Sequence, residues 1–426
     1  MDSQIQRRPV QRNRVTSNDS NRASSGERQI CLPLSKQEYD DIWDDSAKVR
    51  ILIDQMVERS PELFPQQIAD GYQLKGKLPA SAKMPDIQLR QIHIAGQRYY
   101  LRPSFVMPAF SGTTDELKHP MELLAHGVAL WLIVKVFGHD EMFWLRQEQR
   151  LGRNSIVGTT VRTPEALPEH LAADEHHTHW RGEKGYIATT AAKGCLLGVA
   201  LTDQASDKSL TEAYGVFQKE AISLDPSYQP KTVNTDGWLS TQNAFCALFP
   251  GIVTILCFLH GFLKVRDRGR GEHELHERIW EIYHSTNIQM FDRRMKAFRK
   301  WFESKQWSQS ISEMTAKLWK RASQYRQSFK HDDCYRTSNQ VDRLMNRMTR
   351  LMYSGRGLHG NHTASERRLR GWALMVNFVP YAHRSNVQRA HRCPAHQLSN
   401  KCYSENWLEN LLVSASMNGK PGLKIR

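Results

Sequence analysis

Three acids stand where carboxylate chemistry is possible. Asp174 falls inside an apolar, strand-like run, flanked by Ala172, Ala173 and Glu175. Asp236 closes a second such run, 231–234, at the edge where open α/β sheets place their sites. Asp342 falls in the first turn of the last strong helical pattern. Carboxylates are the hard oxygen ligands that Mg2+ and Mn2+ prefer. Several that converge can hold two cations about 3.5–4 Å apart, activating a nucleophilic oxygen and stabilising a leaving one, as phosphodiester chemistry requires. Each acid also has an ordinary structural explanation. Asp236-Gly237 is a common turn pair, and a helix dipole favours an acid at position 342. Asp174 is hardest to explain that way, because an acid inside a strand disfavours it unless exposed or functional.

The elements that must position these acids follow from periodicity. Runs 171–180, 185–190 and 194–201 predict three antiparallel strands, with turns at 181–185 and 192–194. A helix over 210–222, a strand over 231–234, a helix over 241–248 and a strand over 252–258, buried on both faces, complete an α/β layered pattern. After His260 the pattern is helical: Leu275, Ile279 and Ile282, then Phe291, Met295, Phe298 and Phe302, then Ile311, Met314 and Leu318. A final helix carries Val341, Leu344, Met345, Met348, Leu351 and Met352, and Thr337 with Gln340 predicts a capping box at its start. Upstream, Leu124, Val128, Trp131, Leu132 and Val136 predict one helical face, followed by a turn at Gly138-His139-Asp140 and a second apolar stretch. Helix, turn and helix suits a DNA-reading module, and equally an ordinary helical hairpin.

Lys and Arg number 59 against 44 Asp and Glu, a net charge of +15, which favours a polyanionic partner. A hydrophobic fraction of 40% with 24% charged residues excludes a wholly disordered, collagenous or coiled-coil chain. The apolar runs 127–138 and 252–263 are too short for a membrane span, and the N-terminus shows no secretory h-region. Seven scattered cysteines read as reduced thiols. The strongest basic composition lies in 293–326, with Arg293, Arg294, Lys296, Arg299, Lys300, Lys305, Lys317, Lys320, Arg321 and Arg326 against Glu303 and Glu313. Trp301, Trp307, Trp319 and Tyr325 interleave with them, the composition of a groove that neutralises phosphates and stacks bases, or of a solvated face over a tryptophan core. Arg343, Arg347, Arg350, Arg367, Arg368 and Arg370 predict a second basic stripe.

Ala173-Asp174-Glu175-His176-His177 through Trp180-Arg181-Gly182-Glu183-Lys184-Gly185-Tyr186 resembles the first catalytic block of DDE transposases of bacterial insertion sequences. Asn234-Thr235-Asp236-Gly237-Trp238, Phe249-Pro250 and Cys257-Phe258-Leu259-His260 resemble the second, the Cys-x-x-His being characteristic of the Mutator-like branch. Arg336-Thr337-Ser338-Asn339-Gln340-Val341-Asp342-Arg343, Arg356-Gly357-Leu358-His359-Gly360 and Trp372-Ala373-Leu374-Met375-Val376-Asn377-Phe378 resemble the third. The resemblance covers roughly 170–380, and the long interval between the second and third acids suits the helical insertion of Mutator-like enzymes.

The resemblance implies an α/β fold with an RNase H-like core of mixed sheet and helices, interrupted by a helical insertion and preceded by a mainly helical DNA-binding region. Its expected layout is a basic disordered tail over 1–30, a DNA-binding region over 31–165, core over 166–262, basic insertion over 263–335, final core helices over 336–383, and a C-terminal tail over 384–426. It implies two Mg2+ ions, with Mn2+ as substitute, held by Asp174, Asp236 and Asp342, and cleavage then strand transfer of DNA. Double-stranded DNA, both element ends and target, is the expected partner, met by a homodimer or higher oligomer in the bacterial cytoplasm at the nucleoid, with no membrane. His260 is read as a polar neighbour of the site contacting phosphate, and Cys257 as core. The cluster His391, Cys393, His396 and Cys402 is read as a loop coincidence more readily than as a zinc site. The family usually carries Glu where this chain has Asp342. That exchange favours one alternative, a catalytically decayed DNA-binding derivative; a nuclease that hydrolyses without joining is a third reading. DNA affinity measured across a salt series is expected to fall by orders of magnitude as counterion release loses its driving force; a flat response removes the nucleic-acid reading.

Overall fold

The computed structural model describes residues 25–382, 385 and 390–423. Most of the expected basic tail therefore lies outside the described residues.

The chain opens on β1 (Gln29–Leu32), α1 (Lys36–Ile42) and α2 (Ser46–Arg59). A Ser35/Glu38 capping box starts α1 and the Asp45 carboxylate starts α2. β2 (Gln73–Lys77), β3 (Arg90–Ile94) and β4 (Gln97–Pro103) follow, and the four strands form a sheet in the order β1-β4-β3-β2. Ala95 and Gly96, both at positive φ, make the tight β3–β4 turn. Helices make up most of the N-terminal region, as expected, but it also carries this sheet, which was not expected. Its signal is the alternation of buried Arg90, Ile92 and Ile94 along β3.

Four helices follow: α3 (Thr114–Ala125), α4 (Leu130–Phe137), α5 (Glu141–Leu151) and α6 (Ile156–Val161). The expected single face through Leu124 and Val136 does not form, because Gly127 breaks the chain at φ 84°. Leu124 ends up buried on α3, Trp131 and Val136 are 61% and 63% exposed on α4, and Ile133 alone of α4 is buried.

The second sheet comprises β5 (His170–Trp180), β6 (Glu183–Ala192), β7 (Cys195–Thr202), β8 (Thr232–Thr235) and β9 (Val253–Leu256) in the order β7-β6-β5-β8-β9. The first three are antiparallel; β8 and β9 run parallel to β5. Two-residue turns at Arg181-Gly182 and Lys193-Gly194, all at positive φ, join the hairpins. α7 (Asp207–Leu224) and α8 (Leu239–Leu248) cover one face, where Leu171, Ala173 and Val233 pack with Tyr214, Phe217 and Phe245. β9 is shorter than the expected 252–258 and is buried on both faces only at Ile255 and Leu256.

A helical layer of α9 (Phe258–Arg268), α10 (His273–Tyr283), α11 (Ile288–Glu303), α12 (Gln309–Lys320) and α13 (Ala322–Arg326) surrounds its own core of Phe258, Ile279, Phe298 and Leu318. It rejoins the sheet through Arg336, whose guanidinium lies over Tyr283 and Phe329 and donates to the Tyr283 and Ser285 carbonyls. α14 (Asn339–Ser354) and α15 (His362–Phe378) then cover the other sheet face. There Ala172, Ile187 and Val199 meet Val341, Met348 and Trp372. The chain finishes with α16 (Pro394–Ser399) and α17 (Trp407–Ser414). Residues 384–426 are thus not simply a tail: Leu408, Leu411 and Val413 are fully buried in the core that also holds Ile30 and Trp372. That core runs unbroken across the expected boundary at 165.

Asn377, fully buried, holds the β6–β7 irregularity from α15, accepting from Leu196 N–H and donating to Leu196 O, both at 2.8 Å. α5 and α15 cross at Gly152 and Gly371, where a Cβ on Gly371 would come within 1.9 Å of the Glu148 carbonyl. Gly371→Ala must push these helices apart and is expected to lower stability by about 1–3 kcal/mol. Gly76→Ala, at a site with nothing nearby, should be close to neutral in the same thermal or urea unfolding measurement.

Candidate active site

In the parallel pairing of β5 with β8, His170 lies opposite Thr232, Leu171 opposite Val233 and Ala172 opposite Asn234. Carried two residues further, that register sets Asp174, midway along β5, level with Asp236, one residue past the carboxyl end of β8, on neighbouring chains about 4.8 Å apart. Alternation along a strand returns every second residue to the same face. Ala172 packs toward α14, so Asp174 and its level partner Asp236 project to that side as well. Glu175 turns to the opposite face, where its Oε1 accepts from Tyr214 Oη and Thr241 Oγ1, both at 2.6 Å.

Burial pushes the Asp174 carboxyl up to about 7, helped by the negative charges of Asp236 and Glu175; a hydrogen bond from Glu175 N–H and the charge of His260 oppose this. Glu175 is raised too, by burial, and its Oε2 has no partner. Reading the sequence left Glu175 without a role, although its place beside Asp174 was the available signal. Asp236 Oδ1 accepts from Trp238 N–H at 2.8 Å, so the turn role weighed for this residue is real and coexists with its position at the site.

Asp342 lies on α14, whose N-cap is Ser338. The expected Thr337/Gln340 capping box does not form. Gln340 Oε1 instead accepts from Gly194 N–H at 3.2 Å, and the Ser338 side chain makes no cap hydrogen bond to the first turn. Ser338 Oγ lies 3.1 and 3.0 Å from the two Asp342 oxygens, 3.3 Å from Cys257 Sγ and 3.3 Å from His260 Nδ1. A hydrogen bond with Cys257, with the charges of Asp342 and Asp174 adding to it, raises His260 to about 9 against the cost of its burial. Burial works to raise Cys257, but hydrogen bonds with His260 and Ser338 hold it below the usual thiol value. Each partner of the pair thus favours the charged form of the other. Cys257 is buried as expected, and His260 is placed among the acids.

Among the described residues, no three acid, His or Cys side chains already gather as a metal cage. The donor chemistry nevertheless fits a hard divalent cation. Asp174 and Asp236 are level carboxylates, and the charge of Asp236 adds to burial in opposing ionisation of Asp174, a repulsion that a bound cation relieves. Asp342 lies close enough to His260 for its charge, with that of Asp174, to act on the imidazole. Glu366, the α15 glutamate among Arg367, Arg368 and Arg370, lies elsewhere. It sits 4.0 Å from His362 and lines a cavity with Arg102, Arg153 and Arg367.

The basic residues divide. Lys317 and Arg321 line a groove of about 560 Å³ with Lys264, Arg268 and Tyr325. Arg321 reaches the site itself, since a Cβ on Gly237 would stand 3.0 Å from its Nη1. Lys264 and Arg268 were not anticipated; their signal was the basic end of α9. Arg293, Lys296, Lys300 and Lys320 are exposed. Arg294 donates to the Glu281 carbonyl and Arg299 pairs with Glu303. Trp301 is not an open stacking platform: it packs against Phe298 and Trp307, with Arg278 and Lys305 over its ring. On α14, Arg343 and Arg350 are exposed and Arg347 is half-buried. The proposed second stripe is corrected in part, because Arg368 pairs with buried Glu148 and Arg370 with Glu220. At the rim, His177, Tyr186 and Trp238 form an aromatic trio with centroids 5.1–6.1 Å apart. In the C-terminal Cys/His cluster, Cys402 Sγ contacts the Ser404 carbonyl and His396 Nδ1 accepts from Arg392 N–H.

No helix among the described residues is long and apolar enough to cross a membrane. Comparison with known protein families and with curated proteins finds no match for this chain.

A carboxyl whose folded value is raised holds its proton more tightly in the fold. Its contribution to stability is greatest below the unfolded value of 3.8 and is lost as pH rises towards 7. In chelator, Asp174→Asn is therefore expected to raise the unfolding temperature by several degrees at pH 8 and to leave it nearly unchanged at pH 4. Equal effects at both pH values would remove the crowded-acid account.

Proposed function

We propose that the chain is a metal-dependent DNA transposase of the DDE type, built on an RNase H-like core, that cleaves and joins DNA strands. The observation that carries this reading is the register-matched pair Asp174 and Asp236, facing the helix of Asp342 and bordered by the basic groove of Lys264, Arg268, Lys317 and Arg321. Three antiparallel strands followed by two parallel ones, with two acids on adjacent central strands, support the RNase H-like assignment. The chain's excess of 59 basic over 44 acidic residues supports a nucleic-acid substrate over a small anion.

In this reading Asp174, Asp236 and Asp342 hold Mg2+ or Mn2+. Bound there, the cations supply activation of a nucleophilic oxygen and stabilisation of a leaving one. The chain's own groups bind and orient. Arg321, beside Gly237, neutralises a phosphate next to the acids. Lys264, Arg268 and Lys317 extend that path along the groove. His260, carrying its proton, faces both Asp342 and Asp174 and offsets part of the acids' mutual repulsion.

Asp342→Asn is expected to abolish Mg2+-dependent cleavage of DNA while changing DNA affinity less than about twofold. Glu366→Gln, paired only with His362 across 4.0 Å, should retain most cleavage. Normal cutting by Asp342→Asn with a dead Glu366→Gln would reassign the third ligand. A wild-type chain that binds DNA and cuts none in Mg2+ or Mn2+ would favour the decayed, DNA-binding derivative.

A further inference from the structure

We propose that Ser338 is a positioning residue for the third acid, its hydroxyl held by Cys257 and His260 so that it fixes the carboxylate of Asp342 for a divalent cation. The proposal rests on the metal-binding reading of the three acids and adds a residue that reading does not require.

Ser338 is 1% exposed and begins a 16-residue helix. A serine there ordinarily caps the first turn by accepting backbone N–H groups. This one makes no such bond, and its oxygen is turned to Asp342, Cys257 and His260 instead. The hydroxyl has one proton and two lone pairs. The Ser338 backbone N–H already donates to Cys257 Sγ at 3.2 Å. His260 Nδ1 lies 3.3 Å from Ser338 Oγ, and its Nδ1–H tautomer donates to that oxygen. The single hydroxyl proton is then best used toward Asp342, whose oxygens lie 3.0 and 3.1 Å away. Direction follows from the count: imidazole N–H to hydroxyl to carboxylate.

The hub is fixed to the backbone on both sides. Asp342 N–H donates to Ser338 O at 2.9 Å, so one helical turn sets their separation. Phe258 N–H donates to Arg336 O, and Asn234 Nδ2 donates to Tyr335 O at 2.8 Å, tying the approach to α14 to the strands that carry the other acids. Asp342 itself is only half-buried. Without the hydroxyl its χ1 has no other side-chain hydrogen bond among the described residues to hold it.

The test uses the full chain, Mn2+ alone as the binding probe, and plasmid DNA as the cleavage substrate. Ser338→Ala is expected to raise the Mn2+ concentration for half-maximal thermal stabilisation about tenfold and to slow plasmid nicking about tenfold or more. DNA affinity should stay within about twofold. Ser338→Thr, which keeps the hydroxyl, should restore both responses. Ser338→Cys, close in size but a weak donor, should follow Ser338→Ala and takes its place if the alanine variant does not fold. In an Asp342→Asn background Ser338→Ala should add nothing, a non-additivity that a merely structural role would not produce. An unchanged Mn2+ response in Ser338→Ala and Ser338→Cys, beside a responsive wild type, overturns the role of Ser338 alone. Additive effects with Asp342→Asn do the same. A wild type that shows no Mn2+ response overturns the metal reading and this role with it.

Discussion

The parallel pairing of β5 with β8 governs the site, because His170, Leu171 and Ala172 opposite Thr232, Val233 and Asn234 leave Asp174 and Asp236 no choice but to face one another. Side chains alternate along a strand, so a slip of one residue would send one acid toward α7 and the other toward α14. Such a slip is costly for a second reason. Ala173 and Val233 are fully buried under α7 and α8, while Ala172 is fully buried against α14 and α15. The apolar pattern that packs the two faces is therefore also what aims the acids. A carboxylate taken largely out of water beside a like charge raises the free energy of the fold; burial first, then the charge of Asp236, pushes Asp174 up to about 7. The surrounding apolar core must overdetermine the register for the strain to persist.

The helical layer between the second and third acids does more than add charge. Its core of Phe258, Ile279, Phe298 and Leu318 closes on itself, yet both ends remain tied to the acid-bearing strands. Cys257 N–H donates to Thr235 O, one residue before Asp236, and Arg336 locks the far end over Tyr283 and Phe329. Most of its tryptophans serve that closure. Its cations are split between structural pairs, as with Arg299 and Glu303, and the groove cations Lys317 and Arg321. Composition alone cannot make that division, because a guanidinium that clamps a carbonyl and one that awaits phosphate have the same sequence signature.

Several elements were legible in advance for identifiable reasons. The strands β5 to β8, α7 and α8 appear close to where period-two and helical patterns place them, since each has one clear apolar face. The N-terminal sheet escaped notice because β1 pairs with β4 across most of that region, a non-local contact that leaves only a short alternation at Ile92 and Ile94. The C-terminal helices escaped because Leu408, Leu411, Leu412 and Val413 form a short cluster after a polar stretch, buried only by contact with residues far away in sequence. At the site, Asp174 could be read as an acid inside a strand and Asp236 as one at a strand end. Glu175 and Ser338 could not, since their roles depend on which side chains Tyr214, Thr241, Cys257 and His260 present to them.

The shorter third acid makes sense in this frame. Asp342 stands one helical turn from Ser338, and its carboxylate rests against that hydroxyl with both oxygens in reach. A glutamate at the same place would carry its carboxylate one C–C bond, about 1.5 Å, farther from the helix, past the hydroxyl that Cys257 and His260 hold in place. The hub and the aspartate thus fit as a matched set, in which a short side chain is compensated by a fixed donor. The same logic accounts for His260. A cationic imidazole close to two acids would compete with a divalent ion if it could approach them freely. Its bonding to buried Cys257 and to Ser338 confines it to the edge of the cluster, where it steadies the acids without replacing the metal they are suited to hold.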